Sequence, residues 1–450
     1  MDEELATILD TLESLIETGR LAEARQLLAE EHPADIAELL DELEPEQAVI
    51  AFGLLSTESA SEVLDETGSF VRSELVEKVD DERLADLLDE LPADDAVEFL
   101  EDLPDVVADR LLGLMEPDTA DEVRQLLVYE EETAGRLMAR DVVALRRQWT
   151  VAETLDYLRS LEDAETLQYL YVVDRDDKLL GVVPLRVLIL SQPDTTIDTI
   201  MSDEVVSVPM NIDQEELAEM VSRYDYNAIP VVDLDGRLLG VVTVDDVLDI
   251  VEEEATEDIQ RLGGSEPLDQ PYFSVSLFQV FRKRVGWLLL LFLGATLTGS
   301  VTRLYEHQIA LAIALTYFTP MIIGTGGNAG SQTVATIIRA ITLGEVRLNT
   351  IWRALSREVG VAVLLGLVMG LLGFVRAVLW DTGYGVALVV ALTLPLVVIW
   401  ACTTATVVPI IADKLHIDPA VISGPMITTI VDATGLLIYF NIAIYILNLQ

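Results

Sequence analysis

Between Pro271 and Gln450 the chain carries successive apolar stretches, each about the 20 residues needed to cross a bilayer. Lipid offers no partner for backbone polar groups, so runs of this length fold as α-helices that close their own hydrogen bonds. Charge marks the same boundary. The region from Pro271 onward holds 10 basic and 7 acidic residues, whereas the first 270 hold 18 and 71. A net charge of −50 over the whole chain therefore hides an acidic soluble half joined to a nearly neutral membrane half.

The acidic half repels nucleic acid and anionic lipid headgroups, and offers many oxygen ligands to cations. The beginning, "MDEELATILD", is acidic and lacks the apolar core of a signal peptide, so none is expected. Cys402 is the single cysteine and lies in an apolar stretch, which excludes a disulfide framework or a cysteine metal site within one chain. Only four of the 28 basic residues are lysine. That bias fits a salt-rich cytoplasm, where screening tolerates self-repulsion, and equally an ordinary acidic cytosolic domain.

Residues 1–131 read as short helices broken by proline or acidic turns. "DIAELLDELEPEQAV" from Asp35 is echoed by "RLADLLDELPADDAV" from Arg83, which predicts repeated helix pairs stacked as a small superhelix. From 132 to 250 the pattern changes. "YVVDRDDKLLGVVPLRVL" (Tyr171–Leu188) is matched by "PVVDLDGRLLGVVTVDDVL" (Pro230–Leu248) at an offset of 59 residues. Each copy reads as strand, polar turn, strand, helix, and "LMARDVVAL" and "IMSDEVVSV" are expected to start the two units.

This arrangement resembles a tandem pair of CBS domains, a nucleotide-sensing α/β module, with copies at 132–197 and 198–250. The second copy has Thr243 and Asp245, matching the CBS motif that holds phosphate and ribose, whereas the first has Pro184 where the hydroxyl would be and Val187 where an acidic residue would be. The resemblance implies at most one adenosine site per chain, with ATP as regulator. Its candidate contacts are Tyr169, Arg186, Tyr226, Asn227, Ala228 and Pro230. A scaffold role for the pair, without ligand, remains open at this point. Residues 251–270 then read as the end of a long acidic helix, a Gly-Gly stop and a linker. A helix between a sensor and a membrane domain suits either a gate or a solvated spacer.

Spans are expected near 285–303, 309–338, 357–380, 384–411 and 418–448, giving a five-helix membrane domain over 271–450. The second and last exceed what one bilayer needs and call for tilt, a break or protrusion. With the N-terminal half inside, eight basic residues flank the cytoplasmic ends (Arg282, Lys283, Arg284, Arg339, Arg347, Arg353, Arg357, Lys414). Only Arg303 and Arg376 lie outside. The imbalance satisfies the positive-inside rule and puts the acidic half in the cytoplasm of a multi-pass cell-membrane protein.

Two spans carry unusual chemistry. "TPMIIGTGGNAGSQTVAT" (Thr319–Thr336) brings four glycines, Asn328, Ser331 and Gln332 to membrane depth, as a tight helix contact or a pore wall. In the last span Pro425, Thr428, Thr429, Asp432, Gly435 and Tyr439 recur at helical spacing beside Gly424. Pro425 is expected to loosen the Thr428 and Thr429 carbonyls toward the carboxylate. A charged aspartate at mid-bilayer costs about 2.5–3.5 kcal/mol on insertion scales and usually marks an ion or proton pathway. Carboxylate, hydroxyl and carbonyl oxygens suit Mg²⁺ or Ca²⁺ and not soft metals. One carboxylate is little charge for a divalent ion, and a twofold homodimer would supply a second.

With those residues in place, the chain resembles the MgtE family of magnesium channels and transporters. The match rests on the domain order, the connector "EEATEDIQRLGG", and the motifs "PMIIGTGGNAGSQ" and "DPAVISGPMITTIVDATGLLIYF". The resemblance implies a homodimer with a central pore, Asp432 at the ion site, and closure when cytoplasmic Mg²⁺ bridges the acidic domain, the CBS pair and the connecting "plug" helix. Carried over position by position, it implies regulatory ligands at Glu215, Asp225, Asp246, Asp249, Glu254, Glu257, Asp258, Asp418 and the Gly135 carbonyl, with Asp94 a weaker transfer. A broader transporter of Co²⁺, Mn²⁺ or Ni²⁺ is the alternative within the class. A CBS-regulated membrane enzyme finds no P-loop or nucleophile–base constellation, and the polar stripes argue against a receptor without transport.

Overall fold

The computed structural model describes residues 3–101, 103–140, 142–161, 167–268, 272, 275–415 and 417–449; parts of the expected 251–270 linker and His416 lie outside them. The chain divides into two units, Met1–Glu254 and Ala255–Gln450.

The first unit begins with short helices: α1 (Glu3–Glu17), α2 (Leu21–Leu28), α3 (Pro33–Glu42), α4 (Pro45–Phe52) and α5 (Thr57–Glu66). They continue as α6 (Ser69–Lys78), α7 (Asp81–Leu88), α8 (Ala93–Glu101), α9 (Asp105–Leu112) and α10 (Pro117–Leu126). Proline in the first turn of α3, α4 and α10 starts each where a backbone N–H has no helical partner anyway. The sequence echo is a structural repeat. Ile36, Ala37, Leu39 and Leu40 of α3 are buried, as are the equivalent Leu84, Ala85, Leu87 and Leu88 of α7. Packing of α3 on α5, α5 on α7 and α7 on α9 stacks these stripes into one core.

Two three-stranded sheets follow. The first holds β1 (Ala144–Arg146), β2 (Tyr169–Val173) and β3 (Leu179–Pro184), with helices α11 (Val151–Leu158), α12 (Leu185–Leu190) and α13 (Ile197–Ile200). The second holds β4 (Val208–Pro209), β5 (Ala228–Val232) and β6 (Leu238–Thr243), with α14 (Gln214–Tyr224) and α15 (Val244–Leu262). In each, the first strand pairs parallel to the second, and the second antiparallel to the third. Both hairpins turn identically: Asp174 Oδ1 accepts from the Asp176 and Lys178 amides, and Asp233 Oδ1 from those of Asp235 and Arg237.

The copies are interlocked, although the first strand of each pairs within its own sheet. Ala139 exchanges backbone hydrogen bonds with Val241 of the second copy, and Ser202 with Val182 of the first. Glycine permits both crossings: a Cβ on Gly240 would sit 2.5 Å from the Ala139 carbonyl, and one on Gly181 2.8 Å from that of Ser202. Asn227 donates to Gln168 at 3.1 Å, joining two positions that the 59-residue repeat makes equivalent.

The second unit contains α16 (Leu277–Leu304), α17 (Glu306–Leu311), α18 (Thr319–Thr342), α19 (Ile351–Leu379), α20 (Tyr384–Lys414) and α21 (Gly424–Leu447). Among the described residues, four helices are long and apolar enough to cross a membrane: α16, α19 with the turn before it, α20 and α21. The second expected span breaks at Ala312, which leaves helical geometry; a 3-10 turn (Ile313–Tyr317) then leads into α18, where Pro320 occupies the first turn. The last breaks before Ser423, whose side chain caps α21 at the Met426 amide.

Candidate cation pathway and its acidic control surface

Helices α18 and α21 meet through glycine. A Cβ on Gly326 would lie 2.6 Å from Val397 and 2.9 Å from Val431, on Gly327 2.7 Å from the Thr428 methyl, and on Gly330 2.8 Å from Ile427. The bare backbone of α18 therefore lies against Thr428 and Val431. Ser331 Oγ approaches Thr428 Oγ1 at 3.2 Å. Thr428 and Thr429 donate to the carbonyls of Gly424 and Pro425 at 3.0 and 2.9 Å. Pro425 does not loosen the Thr428 and Thr429 carbonyls as expected. It sits in the first turn, where no helical bond is lost, and α21 runs unbroken.

Asp432 follows one turn beyond Thr428. Its Oδ1 is buried and has no hydrogen-bond partner among the described residues. A buried carboxylate left unsatisfied is costly unless a cation or ordered water completes it. Asn328 and Gln332 stand exposed on α18, in one row with Gly324 and Thr336. That polar row is ill suited to lipid and well suited to water. Gly424 is buried near Ser331, and Pro425 is half-buried. Gly435 corrects its expected place on the wall: it is buried against Val397 of α20, a packing contact. Tyr439, in the same stripe, is buried and donates to the Leu315 carbonyl at 2.9 Å.

Within the same unit, the end of α15 meets the start of α21. Gly264 is left-handed (φ +74°), and a Cβ there would lie 2.6 Å from Trp287 Nε1 and 3.3 Å from Pro425. Arg261 pairs with Glu257 and, at 2.7 Å, with Asp418, which also accepts from the Ala420 amide at 2.7 Å. Burial pushes the Asp258 carboxyl up, Asp418 adds to the shift, and Arg261 and Arg339 oppose it.

In the first unit, carboxylates from α5, α8 and α15 face one another. Asp246 Oδ2 accepts from the Thr243 hydroxyl at 2.6 Å and amide at 3.1 Å, capping α15. Burial nonetheless pushes its pKa up to about 6. Asp65 is also pushed up to about 6, first by burial and then by Glu98, with Arg72 opposing. Asp249 is raised by burial, then by Glu98 and Glu66. Asp65, Glu66 and Glu98 had no local signal in the sequence; they resemble every other acid in the domain.

The remaining expected ligands are dispersed. Glu254 accepts from Gln214 at 2.8 Å, Glu215 lies in the first turn of α14, and Asp225 caps that helix at φ 53°. Gly135 donates to the Met210 carbonyl at 2.8 Å, and a Cβ there would clash with the same oxygen. Asp94 is half-buried at the start of α8; its neighbour Asp95 lines a cleft of about 510 Å³ with His32, Glu58, Glu62, Asp65, Glu66 and Glu90. Among the described residues, no three His, Cys, Asp or Glu side chains converge to hold a bare ion. A hydrated ion, held through water against facing carboxylates, fits this donor set better than a dehydrated one.

The expected nucleotide contacts gather around the strand ends of the CBS pair. Tyr169 opens β2, Ala228 and Pro230 are buried in β5, and Tyr226 stacks on Tyr224 with centroids 5.7 Å apart. Arg186, Asn227 and Asp245 are exposed, while the Thr243 hydroxyl is engaged by Asp246.

A helical membrane unit that carries a carboxylate without a partner among the described residues, preceded by an interlocked CBS pair, is the architecture of a membrane transporter with soluble N-terminal domains. Residues 319–442 match the MgtE family, described as a divalent cation transporter. Residues 31–132 match the MgtE intracellular N domain, and 134–191 and 197–253 match CBS domains. The chain belongs to the MgtE family, a class of transporters and not of enzymes. It is 39% identical to the magnesium transporter MgtE of Thermus thermophilus over 98% of both chains, and 32% identical to that of Bacillus subtilis over 95% of both. The cytosolic domain of the Mg²⁺ channel MgtE in complex with ATP is 40% identical, with a TM-score of 0.52, covering 54% of this chain and 99% of that one.

Proposed function

We propose that this chain is a magnesium channel that admits Mg²⁺ down its electrochemical gradient and closes as cytoplasmic Mg²⁺ rises. Two near-full-length relatives named as magnesium transporters support the ion, and the orphaned Oδ1 of Asp432 carries the site. An inside-negative potential of 100 mV contributes about 4.6 kcal/mol for a divalent ion, so uptake needs no ATP hydrolysis.

In this reading five helices cross the membrane, α18 being the fifth, and two chains pair so that two copies of Asp432 flank one axis. Thr428 and Thr429 order the ion's waters beside the carboxylate, with Asn328, Gln332, Gly424 and Pro425 along the wall. The domains fall at 1–131, 132–197, 198–250, 251–270 and 271–450. Mg²⁺ acts as its own regulator by neutralising Asp246 and Asp249 against the N-terminal domain, and by binding at Glu215, Asp225, Glu254, Glu257, Asp258, Asp418, Asp94 and the Gly135 carbonyl. ATP is a regulator at the second CBS copy, through Thr243, Asp245 and the tyrosines. A broader range of divalent ions, Co²⁺, Mn²⁺ or Ni²⁺, is the second reading, favoured by the family's description. Ion flux into vesicles containing the purified protein separates the two. Mg²⁺ entry that exceeds Co²⁺ and Ca²⁺ entry, and falls as internal Mg²⁺ is raised, is expected; equal entry of all three sinks the Mg²⁺ assignment.

A further inference from the structure

Helix α16 touches the rest of its unit along one stripe. From Trp287 to Tyr305, only Trp287, Leu291, Gly294, Thr298, Val301 and Tyr305 are half-buried, and every residue between them is exposed. The alternating steps of four and three residues are one face of an α-helix. Two contacts identify what that face meets. A Cβ on Gly294 would lie 2.5 Å from the Thr429 methyl, so α16 is closest to α21 there. Farther along, Tyr305 stacks on Phe440 with centroids 5.0 Å apart and accepts from Asn441 at 2.9 Å. Both intervals, Gly294 to Tyr305 and Thr429 to Phe440, are the same number of residues, so the two helices run parallel and in step. One turn past Gly294 is Thr298, and one turn past Thr429 are Asp432 and Ala433.

The hydroxyl of Thr298 behaves differently from its neighbours. Thr296, Ser300 and Thr302 each donate to a carbonyl three or four residues earlier, at 2.5, 2.8 and 3.0 Å, and so satisfy themselves. Thr298 Oγ1 is buried with no partner among the described residues, and Asp432 Oδ1 is in the same condition. A hydroxyl can donate and accept, whereas a carboxylate only accepts. Two orphaned oxygens at one depth, on helices that touch, are both satisfied by a body carrying hydrogens and lone pairs. Water is that body, and a hydrated cation brings it.

We propose that Thr298 is a further pore residue contributed by α16: its hydroxyl accepts from, or donates to, a water in the hydration shell of the divalent cation held by Asp432. The inference rests on the reading of Asp432 as the ion site. It gives the site a third helix besides α18 and α21, and makes the shell's geometry part of selection, because the hydroxyl is fixed at one height by the Gly294 and Tyr305 contacts.

The test uses the full-length protein in vesicles, measuring Mg²⁺ and Ca²⁺ entry over a range of external concentrations. Thr298→Val keeps shape and removes the hydroxyl, Thr298→Ser keeps the hydroxyl, and Asp432→Asn serves as reference. Loss of one net hydrogen bond predicts that Thr298→Val lowers Mg²⁺ entry about three- to tenfold, with entry retained in Thr298→Ser. The Mg²⁺-to-Ca²⁺ ratio should fall in the valine variant, a change that looser packing alone does not produce. Should valine prevent folding, Thr298→Ala removes the same hydroxyl with less bulk. Wild-type entry and ratio in the hydroxyl-free variants, with Asp432→Asn silent, overturn the role of Thr298 and leave Asp432 standing. Wild-type entry in Asp432→Asn overturns the ion site itself. Equal losses in the valine and serine variants, with an unchanged ion ratio, assign Thr298 to packing and also overturn the proposal.

Discussion

Asp246 and Asp432 are both partly buried aspartates on long helices, yet their surroundings differ in kind. Asp246 receives two hydrogen bonds from Thr243 and lies in a field of further carboxylates that includes Asp245 and Asp249. Asp432 receives no bond at Oδ1 among the described residues and is the single acidic or basic residue between Pro419 and Gln450. One carboxylate suffers from too many like neighbours, the other from none that donate. A cation relieves the first by cancelling repulsion, which a proton also does. It relieves the second by supplying what is missing, and there its size and hydration decide. In the proposed function, regulation belongs to the crowded site and transport to the solitary one.

The largest expected effect breaks the solitary site. Asp432→Ala should reduce Mg²⁺ entry into vesicles more than a hundredfold, to the level of protein-free vesicles, while the protein still elutes as a folded species. Entry near wild type would erase the distinction between the two aspartates.

A smaller effect is expected from the crowded side. Replacing Glu254 and Glu257 by glutamine and Asp258 by asparagine should leave Mg²⁺ entry intact but flatten its dependence on internal Mg²⁺. A dose response superimposable on wild type would remove the connector from regulation.

The smallest effect is thermal. Asp65 and Asp246 titrate at about 6 in the folded unit, above the ordinary value of about 4. Because folding raises these values, their contribution to stability is complete below pH about 4 and is lost as pH rises through about 6. Without Mg²⁺, the melting temperature of the cytoplasmic region should be about 2–4 °C higher at pH 5 than at pH 8. Added Mg²⁺ should narrow the gap, as should Asp65→Asn with Asp246→Asn. A gap untouched by either would place the repulsion elsewhere.

Much of this organisation is legible in the residues. The 59-residue repeat is visible because hairpins need the same alternation and turn chemistry each time, and the helical echo because stacked pairs bury the same positions. Asp432 is conspicuous because lipid makes any charge conspicuous. What escapes the sequence is pairing at a distance. Nothing in "LMARD" says that Ala139 will join the other copy's hairpin, since an edge strand accepts any partner of the right register. Pro425 reads as a disruptor until its position in the first turn of α21 is known. Asp65 and Glu98 look like ordinary surface acids until folding sets them near each other, Asp65 also near Asp246 and Glu98 near Asp249. Thr298 is harder still, for a threonine in an apolar run ordinarily bonds its own helix.

The thin attachment of α16 has a consequence for biogenesis. About 120 residues separate the end of α16 from the start of α21, the helix it leans on. At ordinary rates of synthesis α16 therefore waits roughly 6–24 s in the bilayer before its partner emerges. Its leucine-rich circumference, exposed to lipid on every side but one, lets it wait there as a lone anchor. The chamber around Asp432 is thus closed only after translation of α21, and a ribosome stalled before that point leaves an anchored chain with no conduit.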